Sequence, residues 1–167
     1  MTENTLHIVT GKPGVGKTTY GLKLAQQNRA TFLDIDTVTE PVVKAGLALA
    51  GLDVNDRDSP CFKRTFRGAI YQALFAAAED NLTVHSVVVT GPFTKELQDP
   101  LWTQTLSSRL GCPVIVYYLC CPEAVRQQRI KQRNCGRDNA KLGQWHEHSD
   151  YYPKDRPACE HIVIESY

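Results

Sequence analysis

The sequence lacks the long apolar runs and the charge excess that mark several classes of protein. No stretch approaches the roughly twenty apolar residues of a membrane-spanning helix, and the first four residues, MTEN, begin no basic and apolar segment of signal-peptide type. Lysine and arginine total 19 against 18 aspartates and glutamates, so the overall charge attracts neither nucleic acid nor an anionic membrane. The composition predicts a soluble, cytoplasmic protein without a membrane partner. A nucleic-acid partner would require a local basic patch.

The cysteines do not form a recognisable framework. The six stand at positions 61, 112, 120, 121, 135 and 159, without a C-x-x-C pair and at too low a density for a small secreted domain. Cys135, His146, His148 and Cys159 could be grouped around zinc, but their spacing matches no standard zinc site. We therefore expect reduced thiols.

The order of apolar runs along the chain indicates the fold class. Short apolar runs alternate with stretches of helical periodicity, which predicts an α/β protein with a parallel sheet and helices on both faces. Strands are predicted at about 6–10, 30–36, 84–90, 113–119 and 161–164, and helices at about 20–27, 37–50, 61–80, 99–110, 122–134 and 141–148. With 167 residues, one domain over 1–167 is expected.

Residues 11–18, GKPGVGKT, are the most specific motif in the chain. They satisfy G-x-x-x-x-G-K-[ST] between a predicted strand and a predicted helix, the context that this phosphate-binding loop requires. Its glycines allow a tight turn whose N–H groups, together with the helix N-terminus, hold a polyphosphate. Lys17 is expected to reach the β- and γ-phosphates and Thr18 to ligate Mg²⁺. The candidate nucleotide-binding residues are Gly11, Pro13, Gly14, Val15, Gly16, Lys17, Thr18 and Thr19.

Two carboxylates stand where the second predicted strand ends. If the strand runs to Asp36, then Asp34 and Asp36 point to the same face at the edge where ligands bind in parallel sheets. Asp36 is suited to orient and deprotonate a hydroxyl acceptor. The alternative for either residue is a structural one, the capping of the next helix.

The loop predicts nucleotide binding, and other motifs bear on what is done with the nucleotide. The N/T-K-x-D motif of a regulatory GTPase is absent from any suitable place, and a motor ATPase usually has a longer chain and an acidic strand end where this sequence has Thr90. A phosphotransferase requires a carboxylate for the acceptor and cations around the transferred group. Arg129, Arg133 and Arg137 are suited to the second task, unless they form only a solvated helix face.

Four segments together resemble the small P-loop kinases related to chloramphenicol phosphotransferase, gluconate kinase, the zeta toxins and the polynucleotide kinase domain, which are AAA_33-type ATP-binding proteins. They are the loop, LDIDT at 33–37, VVTGPF at 88–93 and the arginines spaced four apart at 129, 133 and 137. The resemblance implies a nucleoside-monophosphate-kinase-like core with sheet order 2-3-1-4-5, ATP and Mg²⁺, and an arginine-bearing lid around 126–145. It implies Asp36 as the acceptor's base, with Asp34 as the alternative.

Thr90 departs from the pattern of that group, where an aspartate is common at this strand end. Either Asp34 or Asp36 would then supply part of the Mg²⁺ shell, or the metal site would be weaker. Thr18 and Asp34 are the candidate metal residues. The expected function is ATP-dependent phosphoryl transfer to a hydroxyl of a small molecule, bound between 37–67 and 91–95. The alternatives are a nucleic-acid kinase and an ATPase or nucleotide-dependent switch.

Overall fold

The computed structural model describes residues 3–133, 143 and 156–166. At its centre lies a sheet of five strands in the order β2-β3-β1-β4-β5, with all neighbours parallel. The strands are β1 (Leu6–Gly11), β2 (Thr31–Asp34), β3 (Val87–Thr90), β4 (Val114–Cys120) and β5 (Ile162–Glu165). The predicted fold class and the predicted order 2-3-1-4-5 are both confirmed.

Helices connect the strands. They are α1 (Lys17–Asn28), α2 (Ile35–Leu49), α3 (Pro60–Thr65), α4 (Arg67–Leu82), α5 (Trp102–Leu110) and α6 (Glu123–Arg133), with a short 3₁₀ turn at Glu96–Gln98. Apart from residue 143, the predicted helix at 141–148 lies outside the described residues. Most of the predicted lid also lies outside them, as do residues 1–2 and 167 of the predicted single domain. No helix among the described residues is both long enough and apolar enough to span a bilayer.

The core consists of two apolar layers, one on each face of the sheet. Because side chains alternate along a strand, Ile8 packs in one layer with Leu74 of α4, whereas Val9 and Val88 pack in the other with Leu24 of α1. The helices therefore cover both faces, as predicted. A strand buried on both faces reads as a continuous apolar run, and the valines of β3 are all fully buried.

The end of β2 differs from the sequence prediction. The strand stops at Asp34 and α2 begins at Ile35, so Asp36 lies in the first helical turn, and the expectation of two aspartates on one strand face is wrong. The reason is local: Asp34 Oδ1 accepts hydrogen bonds from the backbone N–H groups of Asp36 and Thr37, at 3.0 and 3.2 Å. Asp34 therefore caps α2, which is the structural alternative that the sequence analysis gave for this residue.

The long helix predicted at 61–80 is in fact two helices that meet at Phe66. Ser59 caps the first, accepting a hydrogen bond from Phe62 N at 3.0 Å. The stacked rings of Phe62 and Phe66 pack against Val43 and Leu47 of α2. Helical periodicity along the sequence cannot reveal this break, because it depends on what the two rings meet in space.

Candidate active site

Residues 11–18 form a loop that wraps the N-terminus of α1. Its three glycines all have positive φ, of 143° at Gly11, 81° at Gly14 and 93° at Gly16, a region that residues with a Cβ rarely adopt. A Cβ on Gly14 would also lie 2.7 Å from the backbone oxygen of Arg126. The loop is therefore shaped by glycine and pressed closely against α6.

Side chains within and beside the loop hold its backbone. Lys17 Nζ donates hydrogen bonds to the carbonyl oxygens of Gly11 and Lys12, at 2.9 and 3.1 Å. Arg129 of α6 donates through Nη1 to Val15 O and to Ser166 Oγ, both at 3.3 Å. Ser166 follows β5, so these contacts join the loop to both α6 and the end of the last strand.

Asp34 connects the loop to the neighbouring strands. Its Oδ2 accepts a hydrogen bond from Thr18 Oγ1 at 2.8 Å and another from Thr90 Oγ1 at 2.7 Å, while its Oδ1 caps α2. The side chain is 7% exposed. The loop hydroxyl predicted to bind a metal ion is thus in direct contact with the carboxylate predicted for the same role.

These oxygens fit the way in which proteins hold magnesium. Mg²⁺ prefers oxygen ligands, and it is usually bound through one or two carboxylates together with substrate phosphates and water. Thr18 and Asp34 supply a hydroxyl and a carboxylate of this kind beside the phosphate-binding loop. A cluster of three or more His, Cys, Asp or Glu side chains suited to a metal ion does not occur among the described residues. The hydroxyl of Thr18 and the carboxylate of Asp34 are therefore of a kind that fits Mg²⁺.

A cavity of about 1000 Å³ extends from the loop across the carboxyl ends of β2 and β3 to helices α2, α3 and α4. Sequence-predicted residues that line it are Pro13, Gly14, Gly16, Lys17, Thr18, Thr19, Asp34, Asp36, Arg129 and Arg133. Gly11 and Val15 are buried in the loop and lie behind this surface. Arg137 lies outside the described residues. The structure thus brings most of the predicted site residues to one cavity.

Asp36 lines the same cavity as the phosphate-binding loop. It is exposed in the first turn of α2, two residues after the Asp34 cap. Arg126, by contrast, is only 5% exposed, and its Nη1 lies 3.5 Å from Pro13 O. The arginines of α6 therefore divide: Arg129 and Arg133 face the cavity, whereas Arg126 packs beneath the loop.

The side of the cavity formed by α2, α3 and α4 contains two ion pairs that the sequence analysis did not predict. Arg57 pairs with Glu40, with 2.9 Å between Nη2 and Oε1, and its guanidinium lies 5.4 Å from the ring centre of Phe62. Arg67 makes two hydrogen bonds to Glu96, at 2.9 and 3.2 Å. Each pair joins residues that are distant in the sequence. No local motif could have found them.

The loop that carries Arg57 is fixed by a neighbouring carboxylate. Asp56 Oδ1 accepts hydrogen bonds from Asp58 N and Ser59 N, at 3.1 and 2.9 Å, and its Oδ2 accepts one from Ser59 Oγ. Burial raises the pKa of Asp56, but the hydrogen bonds from Ser59 and Asp58 and the charge of Arg57 outweigh this effect, so the pKa lies below its usual value. Asp56 therefore stays ionised and holds Arg57 at the cavity edge.

The segment after β3 is held in an unusual conformation. Phe93 has φ of 42° although it is a bulky residue, and its side chain is fully buried against Tyr71, Phe75 and Trp102. Its N–H donates to Tyr71 Oη at 3.2 Å. Strained backbone of this kind persists only where the surroundings enforce it. The neighbouring Gly91, Pro92 and Thr94 line the cavity.

Solved structures with this fold include several kinases. A sugar kinase from Janibacter sp. HTCC2649 superposes with a TM-score of 0.63 at 18% identity, over 97% of this chain and 85% of that one. A gluconokinase from Sinorhizobium meliloti 1021 has a TM-score of 0.55 at 16% identity, over 99% and 85%. A shikimate kinase from Bacteroides thetaiotaomicron has a TM-score of 0.55 at 16% identity, over 98% and 86%. At this identity, the likeness demonstrates a shared P-loop kinase fold.

The sequence comparisons agree with the structural ones. No curated protein matches the chain. Residues 6–153, which include the loop, Asp36 and α6, match the sequence profile of an AAA domain family. The resemblance inferred from the motifs is therefore confirmed, and the chain belongs to the AAA_33 family and has the fold of the P-loop small-molecule kinases.

Proposed function

We propose that the chain is an ATP- and Mg²⁺-dependent phosphotransferase that moves the γ-phosphoryl group to a hydroxyl of a small molecule. The observation that supports this most directly is that the phosphate-binding loop, Asp36 and a mixture of polar and apolar residues from α2, α3 and α4 line one cavity. A nucleotide switch needs no space for a second ligand beside the nucleotide. The printed names of the structural neighbours, a sugar kinase, a gluconokinase and a shikimate kinase, agree with a small hydroxyl acceptor.

Each cavity residue has a role in this proposal. The loop N–H groups and Lys17 bind the β- and γ-phosphates, and Arg129 and Arg133 stabilise charge on the transferred group. Arg137 stays a predicted third arginine. Thr18 and Asp34 would hold Mg²⁺, which when bound neutralises phosphate charge.

The transfer itself requires a correctly placed acceptor. Asp36 orients the acceptor hydroxyl and takes its proton as the oxygen attacks the γ-phosphorus. The bond from that phosphorus to the β–γ bridging oxygen breaks, and ADP leaves. An acceptor that fills the cavity also excludes water, which would otherwise take the phosphoryl group.

The test is ADP formation from Mg·ATP across a panel of hydroxyl compounds and short oligonucleotides. We expect at least one small compound to raise turnover about tenfold or more above the acceptor-free rate, as the positioning argument requires. Lys17→Ala should abolish this increase. Asp36→Asn should lower the acceptor-dependent rate by about 10²- to 10⁴-fold and leave ATP affinity unchanged.

Controls separate the proposal from its alternatives. Asp80→Asn removes the same charge from the exposed part of α4 outside the cavity and should leave both rates unchanged. A substantial acceptor-free rate that Asp36→Asn does not alter would indicate an ATPase or switch instead. Phosphorylation of an oligonucleotide, with binding that falls steeply as salt rises, would indicate a nucleic-acid kinase.

A further inference from the structure

The two sides of the cavity differ in charge. On the side formed by the phosphate-binding loop, α1 and α6, the lining cations Lys17, Lys23, Arg129 and Arg133 outnumber the one carboxylate nearby, that of Asp34 at the end of β2. Such an excess of positive charge is suited to a polyphosphate. This side of the cavity, which we call the nucleotide side, therefore suits a negatively charged ligand.

The side formed by α2, α3, α4 and the loop before α3 has no such excess. Its lining contains three carboxylates and three cations: Asp36, Glu40, Asp58, Arg57, Lys63 and Arg67. Glu40 lies 2.9 Å from Arg57, and Arg67 pairs at 2.9 Å with Glu96. Opposite charges therefore balance on this side of the cavity, which we call the acceptor side.

These ion pairs are partly shielded from solvent. The side chains of Arg57 and Arg67 are 14% and 23% exposed. The guanidinium of Arg57 lies over the ring of Phe62, and that of Arg67 lies 4.6 Å from the ring centre of Tyr71. Glu40 also lies 3.4 Å from Lys44, a half-exposed residue outside the cavity lining. An anionic ligand that bound Arg57 or Arg67 would have to displace a carboxylate from these pairs, and it would approach Asp36 and Asp58, which repel it.

The remaining lining on this side favours an apolar ligand surface. Ile35, Val43, Phe62 and Ile70 present carbon to the cavity. An apolar face of a ligand that packs against these side chains is removed from water, which is favourable.

From these features we infer that the phosphoryl acceptor is an uncharged hydroxyl compound with an apolar face. The inference rests on the proposed kinase function, since it describes the acceptor of that reaction. It excludes acceptors whose recognition depends on a carboxylate or a phosphate.

The test compares neutral compounds with matched anions. The pairs are p-nitrobenzyl alcohol with p-nitrobenzoate, glucose with gluconate, and adenosine with adenosine monophosphate. Binding to the protein loaded with Mg²⁺ and a non-hydrolysable ATP analogue is measured by saturation-transfer NMR. In at least one pair, the neutral member should bind about tenfold or more tightly, since like charges repel the anion. Glu40→Gln should shift that preference about tenfold towards the anion.

A control variant tests whether the effect of Glu40→Gln depends on the position of the charge. Glu79→Gln removes the same charge from an exposed position on α4 and should leave the preference unchanged. The inference is overturned if anions bind as well as or better than their neutral partners, if no neutral compound binds, or if Glu40→Gln behaves like Glu79→Gln. If a neutral compound binds but receives no phosphoryl group, the inference about charge is supported and the proposed kinase function is contradicted. If only an anionic compound is phosphorylated, the kinase function is supported and the inference about charge is contradicted.

Discussion

Asp34 and Thr90 end the neighbouring strands β2 and β3 and are joined by a hydrogen bond of 2.7 Å from Thr90 Oγ1 to Asp34 Oδ2. The same oxygen accepts a hydrogen bond from Thr18 at 2.8 Å. A carboxylate from β2 therefore lies at the end of β3, where this chain has a threonine. One buried charge faces the loop hydroxyl and caps α2 at the same time.

Replacing Asp34 should separate its structural role from its charge. Asp34→Ala removes the α2 cap, which costs about 0.5–2 kcal/mol, and leaves the buried Thr90 hydroxyl without its acceptor, which costs about 1–3 kcal/mol. We therefore expect the free energy of unfolding in urea to fall by about 2–4 kcal/mol. Asp34→Asn can still cap the helix and should cost about 1 kcal/mol. Equal losses in the two variants would contradict the capping role.

Gly14→Ala should disturb the phosphate-binding loop. An alanine at this position would have to adopt φ of 81°, and its Cβ would lie 2.7 Å from Arg126 O, so the loop must move. We expect ATP affinity to fall about tenfold or more, measured by calorimetry, because loop N–H groups lose their alignment. Gly68→Ala in α4 meets no atom within 4 Å and should instead stabilise the protein by about 0.5–1 kcal/mol with unchanged ATP affinity. Unaltered ATP binding by Gly14→Ala would contradict the prediction.

Tyr71→Phe tests what holds the strained segment after β3. The change removes the hydroxyl that accepts the Phe93 N–H, and Phe93 is fully buried with φ of 42°. A donor left without its acceptor costs about 1–3 kcal/mol, so the unfolding free energy should fall by that amount. Urea denaturation measures it. A loss below about 0.5 kcal/mol would show that the hydroxyl does not support this conformation.

Stability should decrease on mild acidification because of His7. Burial lowers the pKa of His7 below its ordinary 6.5, so the unfolded chain takes up a proton at a higher pH than the folded protein. The free energy of unfolding is therefore not reduced by His7 above the unfolded-state pKa of 6.5, and it falls as the pH decreases from there towards the lowered pKa of the folded state. Urea titrations at about pH 7.5 and about pH 5.5 measure the change, and His7→Gln should reduce it. An identical pH dependence in the variant would disprove this origin.

Local patterns account for what could be predicted. The loop at 11–18 is recognisable because its glycines and Lys17 are needed at fixed spacing for one purpose, and the structure gives those glycines positive φ. The buried valines of β3 form a continuous apolar run, which is legible without a structure. The order of the strands in the sheet was predicted from the family resemblance, and the order of apolar runs along the chain does not contain it. The motifs that carry the resemblance stand at or next to strand ends.

Other features depend on which residues meet in space. The amino-acid sequence by itself determined the loop, the alternation of strands and helices, and the presence of Asp34 and Asp36 near a strand end. Only the tertiary structure decided that Asp34 caps α2 and accepts from Thr90, and that Arg57 pairs with Glu40 across seventeen residues of chain. The reason is physical: hydrogen bonds and ion pairs depend on distances of about 3 Å between groups, and the packing of helices on the sheet sets those distances.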